Sequence, residues 1–338
     1  MYFVKKILKF HVIISVLITS ILVVLCPTVY ATSSTYVIPG GDAIGLKIDT
    51  GIFVAGKYQV NGKNNKISPW INSDIEEGDR ILSCNGITVY KISDLNRLIN
   101  NTNNNIVILQ ILRANETINT NINVVETLNG ERTIGLYVKD RLIGIGTLTF
   151  IDPENYTFAS LGHGISDKTL SYGSISGEVV SSNIEGIKKG VPGVSGEKKA
   201  TITNLKFGSI EKNNLTGVYG KVDKLIDRKQ VKLANQTDVK KGKAKILTVI
   251  EGNKIEEFEI EIIGINLQDS TNVKGIKYKV TDKRLLDKTG GIVQGMSGSP
   301  IIQNDLLLGA VSHVSVEDPT IGYGMHIEWM YEESKKLI

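Results

Sequence analysis

The stretch Gly295-Met296-Ser297-Gly298-Ser299-Pro300-Ile301-Ile302, followed at once by Leu306-Leu307-Leu308-Gly309-Ala310-Val311, decides the reading of the fold. Glycine, serine and proline at this density mark a tight turn. A serine presented on a strand-turn-helix elbow would need a helix after it. Here the turn leads into one aliphatic strand and then another, which speaks against a hydrolase-type α/β sheet or a Rossmann fold. The chain has the same texture from about Thr133 onward. Leu142 to Phe150, Tyr156 to Leu161, Lys245 to Ile250 and Phe258 to Ile263 read as strands, the last two pairing across Glu251-Gly252-Asn253. Many short strands at this spacing indicate a mainly β architecture, a barrel or a sandwich. Within this stretch a helical period emerges only at Ile327 to Leu337.

A chain of 338 residues, 41% hydrophobic and 22% charged, is globular in composition and long enough for more than one core. The net charge is +4, and basic residues alternate with acidic ones, as in Lys240-Lys241-Gly242-Lys243 and Glu256-Glu257. No basic footprint for nucleic acid stands out. At the N-terminus Lys5, Lys6 and Lys9 precede an aliphatic run from Val12 to Leu25, and Val29 and Ala31 offer small residues at the spacing of a cleavage site. Residues 1–31 therefore read as an export signal, either a cleaved signal peptide or a retained membrane anchor. Cys26 follows the bulky Leu25, which argues against lipidation, and Cys84 is the other cysteine, so the exported part has no internal disulfide. No Cys/His cluster has metal-ligand spacing, so neither a metal nor another cofactor is expected.

Residues 36–125 read as a first folded unit. Glu76-Glu77-Gly78-Asp79-Arg80-Ile81-Leu82-Ser83-Cys84-Asn85-Gly86 combines a turn, a short apolar strand and the hairpin signal Asn-Gly. Leu95, Leu98 and Ile99 fit one helix face, and Ile106 to Leu112 reads as a buried strand. This run resembles a PDZ domain, which implies capture of an extended peptide at a sheet edge. On that resemblance Ile44, Gly45 and Leu46 occupy the peptide-binding loop. The bland alternative is a structural module packed on its neighbour. Cys84 reads as a core residue.

A serine hydroxyl needs a base within hydrogen-bond reach to act as a nucleophile. Of the four histidines, His11 lies in the export signal and His326 beside the C-terminal helix. His163, in Leu161-Gly162-His163-Gly164, directly follows a strand and precedes the serine, while His313 sits one strand after it, where a substrate pocket would be lined. His163 is the candidate base for Ser297. The Gly295-Met296-Ser297-Gly298 turn would let backbone N–H groups, those of Gly295 and Ser297, converge on an oxyanion. For the carboxylate that orients the imidazole, Asp167, Asp282, Asp287 and, further off, Asp223, Asp227 and Asp238 are all open on spacing alone.

Three blocks, Leu161 to Asp167, Val280-Thr281-Asp282-Lys283-Arg284-Leu285-Leu286 and Gly290 to Pro300, together resemble the stage IV sporulation protein B peptidases of endospore-forming bacteria. The resemblance implies an N-terminal membrane segment, one PDZ domain and a trypsin-like β-barrel serine protease domain over residues 133–338. It implies His163 as general base, Ser297 as nucleophile and Asp282 as orienting acid. It further implies a sporulation signalling endopeptidase that crosses the forespore inner membrane, processes itself, and cleaves a membrane-associated regulator in the intermembrane space. Quality-control proteases of the HtrA kind carry their PDZ domain after the protease, the opposite order. A non-enzymatic PDZ adaptor with an inactive protease domain is the remaining alternative.

Overall fold

Apolar side chains at alternate positions, the period that sets one face of a strand against a core, recur along this chain and close into two rings. The computed structural model describes residues 35–62, 65–166 and 172–337. The expected export signal lies outside the described residues, and among those described no helix is long and apolar enough to cross a membrane. β1 (Tyr36–Pro39) is followed by β2 (Ala43–Lys57). A first unit then comprises β3 (Arg80–Cys84), α1 (Ile92–Asn101), β4 (Ile106–Arg113) and β5 (Glu116–Asn123). β3 pairs with β2 through Ile52 and Phe53 and with β4, and β4 pairs with β5. Asn85 and Gly86 both take positive φ, at 51° and 79°, as a two-residue hairpin turn requires. Leu95 and Ile99 of α1 pack on Ile81, Val107 and Leu109. Cys84 belongs to this core, and burial pushes its thiol up to about 11.

The first ring consists of β2, β6 (Leu136–Ile151), β7 (Thr157–Ser160), β8 (Gly173–Lys188), β9 (Glu197–Asn214) and β10 (Gly217–Val222). Each strand pairs antiparallel with two others in the order β2, β6, β7, β10, β9, β8 and back to β2. The second ring consists of β11 (Gly242–Val249), β12 (Ile255–Ile265), β13 (Ile276–Val280), β14 (Pro300–Gln303), β15 (Leu306–Val314) and β16 (Ile321–His326). Its order is β11, β12, β13, β16, β15, β14 and back to β11. The hairpin read across Glu251-Gly252-Asn253 is the β11–β12 pair, with Ile246 opposite Phe258. Each ring is closed by pairing around its whole circuit, the first through the last residues of β6, from Leu148 onward. One core gathers Ile44, Leu46, Phe158 and Val179, the other Ile246, Phe258, Tyr278 and Ile301. Each fully buried side chain of this size contributes about 1.5–3 kcal/mol before chain entropy is counted.

Two expectations are corrected here. The division between a unit at 36–125 and another at 133–338 does not follow the strands. The first half of β2 pairs inside the first ring, with β6 and β8, while its second half joins the first unit. β6 in turn starts beside the first unit, where Leu136 completes its core, and ends in the ring. A change of composition near Val125 marks a turn-rich connection, whereas a strand can serve two cores without any change in its alternation. For the same reason Ile44, Gly45 and Leu46 are no peptide-binding loop. They pair on one side with Gly146, Ile145 and Gly144 and on the other with Ser181, Val180 and Val179. Ile44 and Leu46 are 0% and 1% exposed, so no edge remains there for a peptide. A short α2 (Lys283–Thr289), capped by Asp282, precedes the serine turn, and α3 (Ile327–Lys335) closes the chain where the helical period placed it.

Candidate active site

Each ring contributes one half of the site. His163 follows β7 on a turn in which Leu161 and Gly162 take φ of 73° and 65°. Its ring nitrogens have separate partners. Nδ1 lies 2.9 Å from the carbonyl oxygen of Gly164 and Nε2 lies 2.9 Å from Ser297 Oγ. A carbonyl can only accept, so Nδ1 carries the proton and donates it to Gly164. In the neutral imidazole this leaves Nε2 with its lone pair, and the Ser297 hydroxyl donates to it. The tautomer needed for general-base catalysis is thereby set by backbone.

Ser297 stands on the turn that enters β14 and the second ring. The N–H groups of Met296, Gly298 and Ser299 are used up on Val293, Val311 and Met296 carbonyls. Those of Gly295 and Ser297 have no partner among the described residues. Two unpaired donors flanking one residue next to a nucleophile are the makings of an oxyanion hole. Strand β6 holds the turn from below. Thr147 donates its N–H to Ser297 O at 2.9 Å and its hydroxyl to Gly295 O at 2.8 Å, and Thr149 donates its hydroxyl to Gly298 O at 2.8 Å. Gly298 has φ of 93°, and a Cβ there would meet Thr147 O at 2.1 Å. Only glycine allows the serine turn to sit this close to β6.

Behind Gly295 lies a residue that the sequence gave no reason to select. Lys198, at the start of β9, is 5% exposed, donates its N–H to Gln294 O, and lays its stem against Gly295. Its ammonium donates to Thr248 Oγ1 at 2.8 Å, and burial pulls its pKa down to about 7. A lysine between Glu197 and Lys199 in a mixed-charge stretch carries no pattern, so only the fold reveals it.

The cleft over the pair has a volume of about 590 Å³ and is walled by Leu142 to Ile145 of β6, by Ile292 to Gly295 and by His313. The His313 ring centre lies 5.6 Å from that of His163, tilted by 54°. Burial, then the neighbouring His163 and Lys274, lower the His313 pKa, and the ring stands in the cleft wall, where the sequence placed it. His326 is buried and donates Nε2–H to Asn266 O, a core role.

Asp282 does not join this pair. Its carboxylate caps α2, accepting from the N–H of Arg284 at 2.9 Å and of Glu259 at 3.3 Å, and it bonds the Arg284 guanidinium at 2.8 Å. The Arg284 hydrogen bond, ahead of the opposing effect of burial, holds its pKa below the usual carboxylate range. It lines a different cleft, with Lys243, Lys245 and Glu257. Asp238 is likewise spent on a cap, at Asn235. Asp167 lies outside the described residues. Among those described, no carboxylate hydrogen-bonds to His163, and the Gly164 carbonyl is what orients the ring.

A base-paired serine hydroxyl, two open donors beside it and a cleft above define the chain as a serine peptidase. A family profile described as SpoIVB peptidase S55 matches residues 130–331, and the chain belongs to that family. A search of curated proteins returned no match. Among solved structures the chain is similar to an inactive serine-to-alanine mutant of Rv3671c from M. tuberculosis H37Rv, at 12% identity and a TM-score of 0.32, over 57% of this chain and 82% of that one.

Proposed function

We propose that this chain is a sporulation signalling serine endopeptidase of trypsin-like type, exported across the forespore inner membrane. It cleaves itself and a membrane-associated regulator in the intermembrane space and so leads to late mother-cell sigma-factor activation. Family membership supports the biological setting. The observation that carries the chemistry is the 2.9 Å contact between Ser297 Oγ and His163 Nε2 at the meeting of two six-stranded rings. The export signal at residues 1–31 supports the location. The first unit, with its Asn-Gly hairpin and α1 against a short sheet, supports a PDZ-like module that handles an extended peptide.

The steps follow from the contacts. Ser297 Oγ attacks the scissile carbonyl carbon as its proton passes to His163 Nε2, and the carbonyl electron pair collects on an oxygen facing the Gly295 and Ser297 N–H groups. Collapse breaks the C–N bond, and Nε2 returns the proton to the leaving amine. Water, giving a proton to the same nitrogen, attacks the acyl carbon; the C–Oγ bond breaks, the new acid leaves, and Nε2 returns the proton to Ser297 Oγ. The imidazolium is steadied by the Gly164 carbonyl dipole.

A strain carrying Ser297→Ala tests the reading. The variant should accumulate as the untrimmed full chain and block late mother-cell gene expression. Continued trimming together with normal expression would instead identify a non-enzymatic adaptor.

A further inference from the structure

β6 is an edge over most of its length. From Leu136 to Thr147 its strand pairing among the described residues is with β2 alone, and only from Leu148 onward does it also pair with β7 and β1. The unpaired side begins beside α1. There Leu136 and Val138, with Leu95, Asn96 and Ile99 of the helix, line a groove of about 380 Å³. Asp140 ties the two together by accepting the N–H of Ile92, and Arg132 donates to the carbonyls of Thr102 and Asn104 at the far end. The same strand then forms the wall of the catalytic cleft through Leu142 to Ile145, and it ends at Thr147, which holds Ser297 and Gly295. Tyr137 and Ile143 are each 59% exposed along it.

An unpaired strand edge is a template for another chain. From this continuity we infer that β6 binds the polypeptide substrate as an added strand, leading from the scissile bond at Ser297 along the cleft and into the α1 groove. The inference rests on the serine peptidase reading and deepens it by naming the substrate class. Between Leu136 and Gly146 the edge is ten residue steps long, about 33 Å at the rise of a strand. The substrate must therefore present an extended segment of roughly ten residues on one side of the cleaved bond, with apolar side chains at alternate positions. Folded or compact targets lack such a segment. The occupant is the substrate itself because the groove and the cleft share one strand with no break between them.

The test uses the full chain and two series of synthetic peptides around one cleavage sequence, lengthened from three to twelve residues on either side of the scissile bond. One series should show kcat/KM rising more than tenfold between about four and ten residues, and the other should saturate early. In the responsive series, N-methylation of successive backbone amides should reduce kcat/KM with a period of two residues, as ladder hydrogen bonds on alternate residues require. Asn96→Trp, which fills the groove from the helix side, should bring the long-peptide value down to the short-peptide value of that same variant. If neither series responds beyond four residues, or N-methylation shows no alternation, the inference is overturned. It is equally overturned if a separate, unlinked peptide stimulates cleavage of short substrates, which would make the groove an activator site. Labelling of Ser297 by a fluorophosphonate reads the peptidase itself. Intact labelling with flat length dependence removes only the β6 track, and absent labelling removes the serine peptidase reading beneath it.

Discussion

Replacing Lys198 by methionine should stabilise the protein at neutral and acidic pH and abolish much of its pH dependence above neutrality. The stem of Lys198 packs on Gly295 and its amine reaches Thr248 inside the fold, and among the described residues no carboxylate offsets its burial. Burial lowers its pKa from 10.5 to about 7. The folded state therefore releases its proton first as pH rises, while the unfolded chain keeps it until about 10.5. Stability from this group is thus greatest above 10.5, falls as pH drops from there toward 7, and is flat below 7. At about 1.4 kcal/mol per pH unit, the penalty at pH 7 is on the order of 5 kcal/mol. Methionine keeps the length and the contact with Gly295 but leaves the Thr248 hydroxyl without its partner, a loss of about 1–3 kcal/mol. The net gain expected at pH 6 is about 2–4 kcal/mol, shrinking to a net loss near pH 10. Urea unfolding of both proteins at pH 6, 7.5, 9 and 10 measures it. A wild-type stability that does not rise between pH 7 and 9, or a variant with the same slope as wild type, would refute a desolvated amine at this position.

Three further outcomes follow from the site. Asp282→Asn should weaken the α2 cap and the Arg284 pair, lowering stability by about 1 kcal/mol, while the folded enzyme keeps kcat within about tenfold. A loss near 10⁴, the size expected for the orienting acid of a triad, would return Asp282 to the catalytic machinery. Because Arg284 depresses the Asp282 pKa, its contribution to stability should be present at neutral pH and disappear as pH falls through the folded value, and the variant should lack that part of the acid limb. Gly298→Ala places a Cβ 2.1 Å from Thr147 O, so kcat should fall by at least about 100-fold through displacement of the Ser297 turn, which peptide kinetics would show. Thr147→Val removes the hydroxyl bond to Gly295 O while keeping shape, and should lower kcat more than it changes KM.

The pair at the centre of the site was legible because its signals are local. Glycines on both sides of His163 and a Gly-x-Ser-Gly turn between strands each say that a side chain is presented on a turn, and chain order suggested that the two belong together. Mutual distance was not legible, since 134 residues separate them. Asp282 misled for a related reason. A carboxylate two residues before an arginine and at the start of a helix is claimed by its own neighbours, and α2, with seven residues, is too short for a period to show. Its real signals were the capping residue Asp282 and the left-handed Gly290 that ends it. Ile44-Gly45-Leu46 looked like a loop motif because strands buried on both sides and glycine-centred loops share the same apolar letters. The β2 and β6 strands that serve both the first unit and the first ring have no marker of their own, as alternation continues unchanged across the junction.

The most direct measurement is active-site labelling of the full chain with a fluorophosphonate at pH 7.5, read by mass spectrometry and as a rate. The account predicts one equivalent of label on Ser297, none in Ser297→Ala, and a rate about 10³-fold or more lower in His163→Ala. Equal labelling rates with and without His163, or label placed on a different serine, would contradict it.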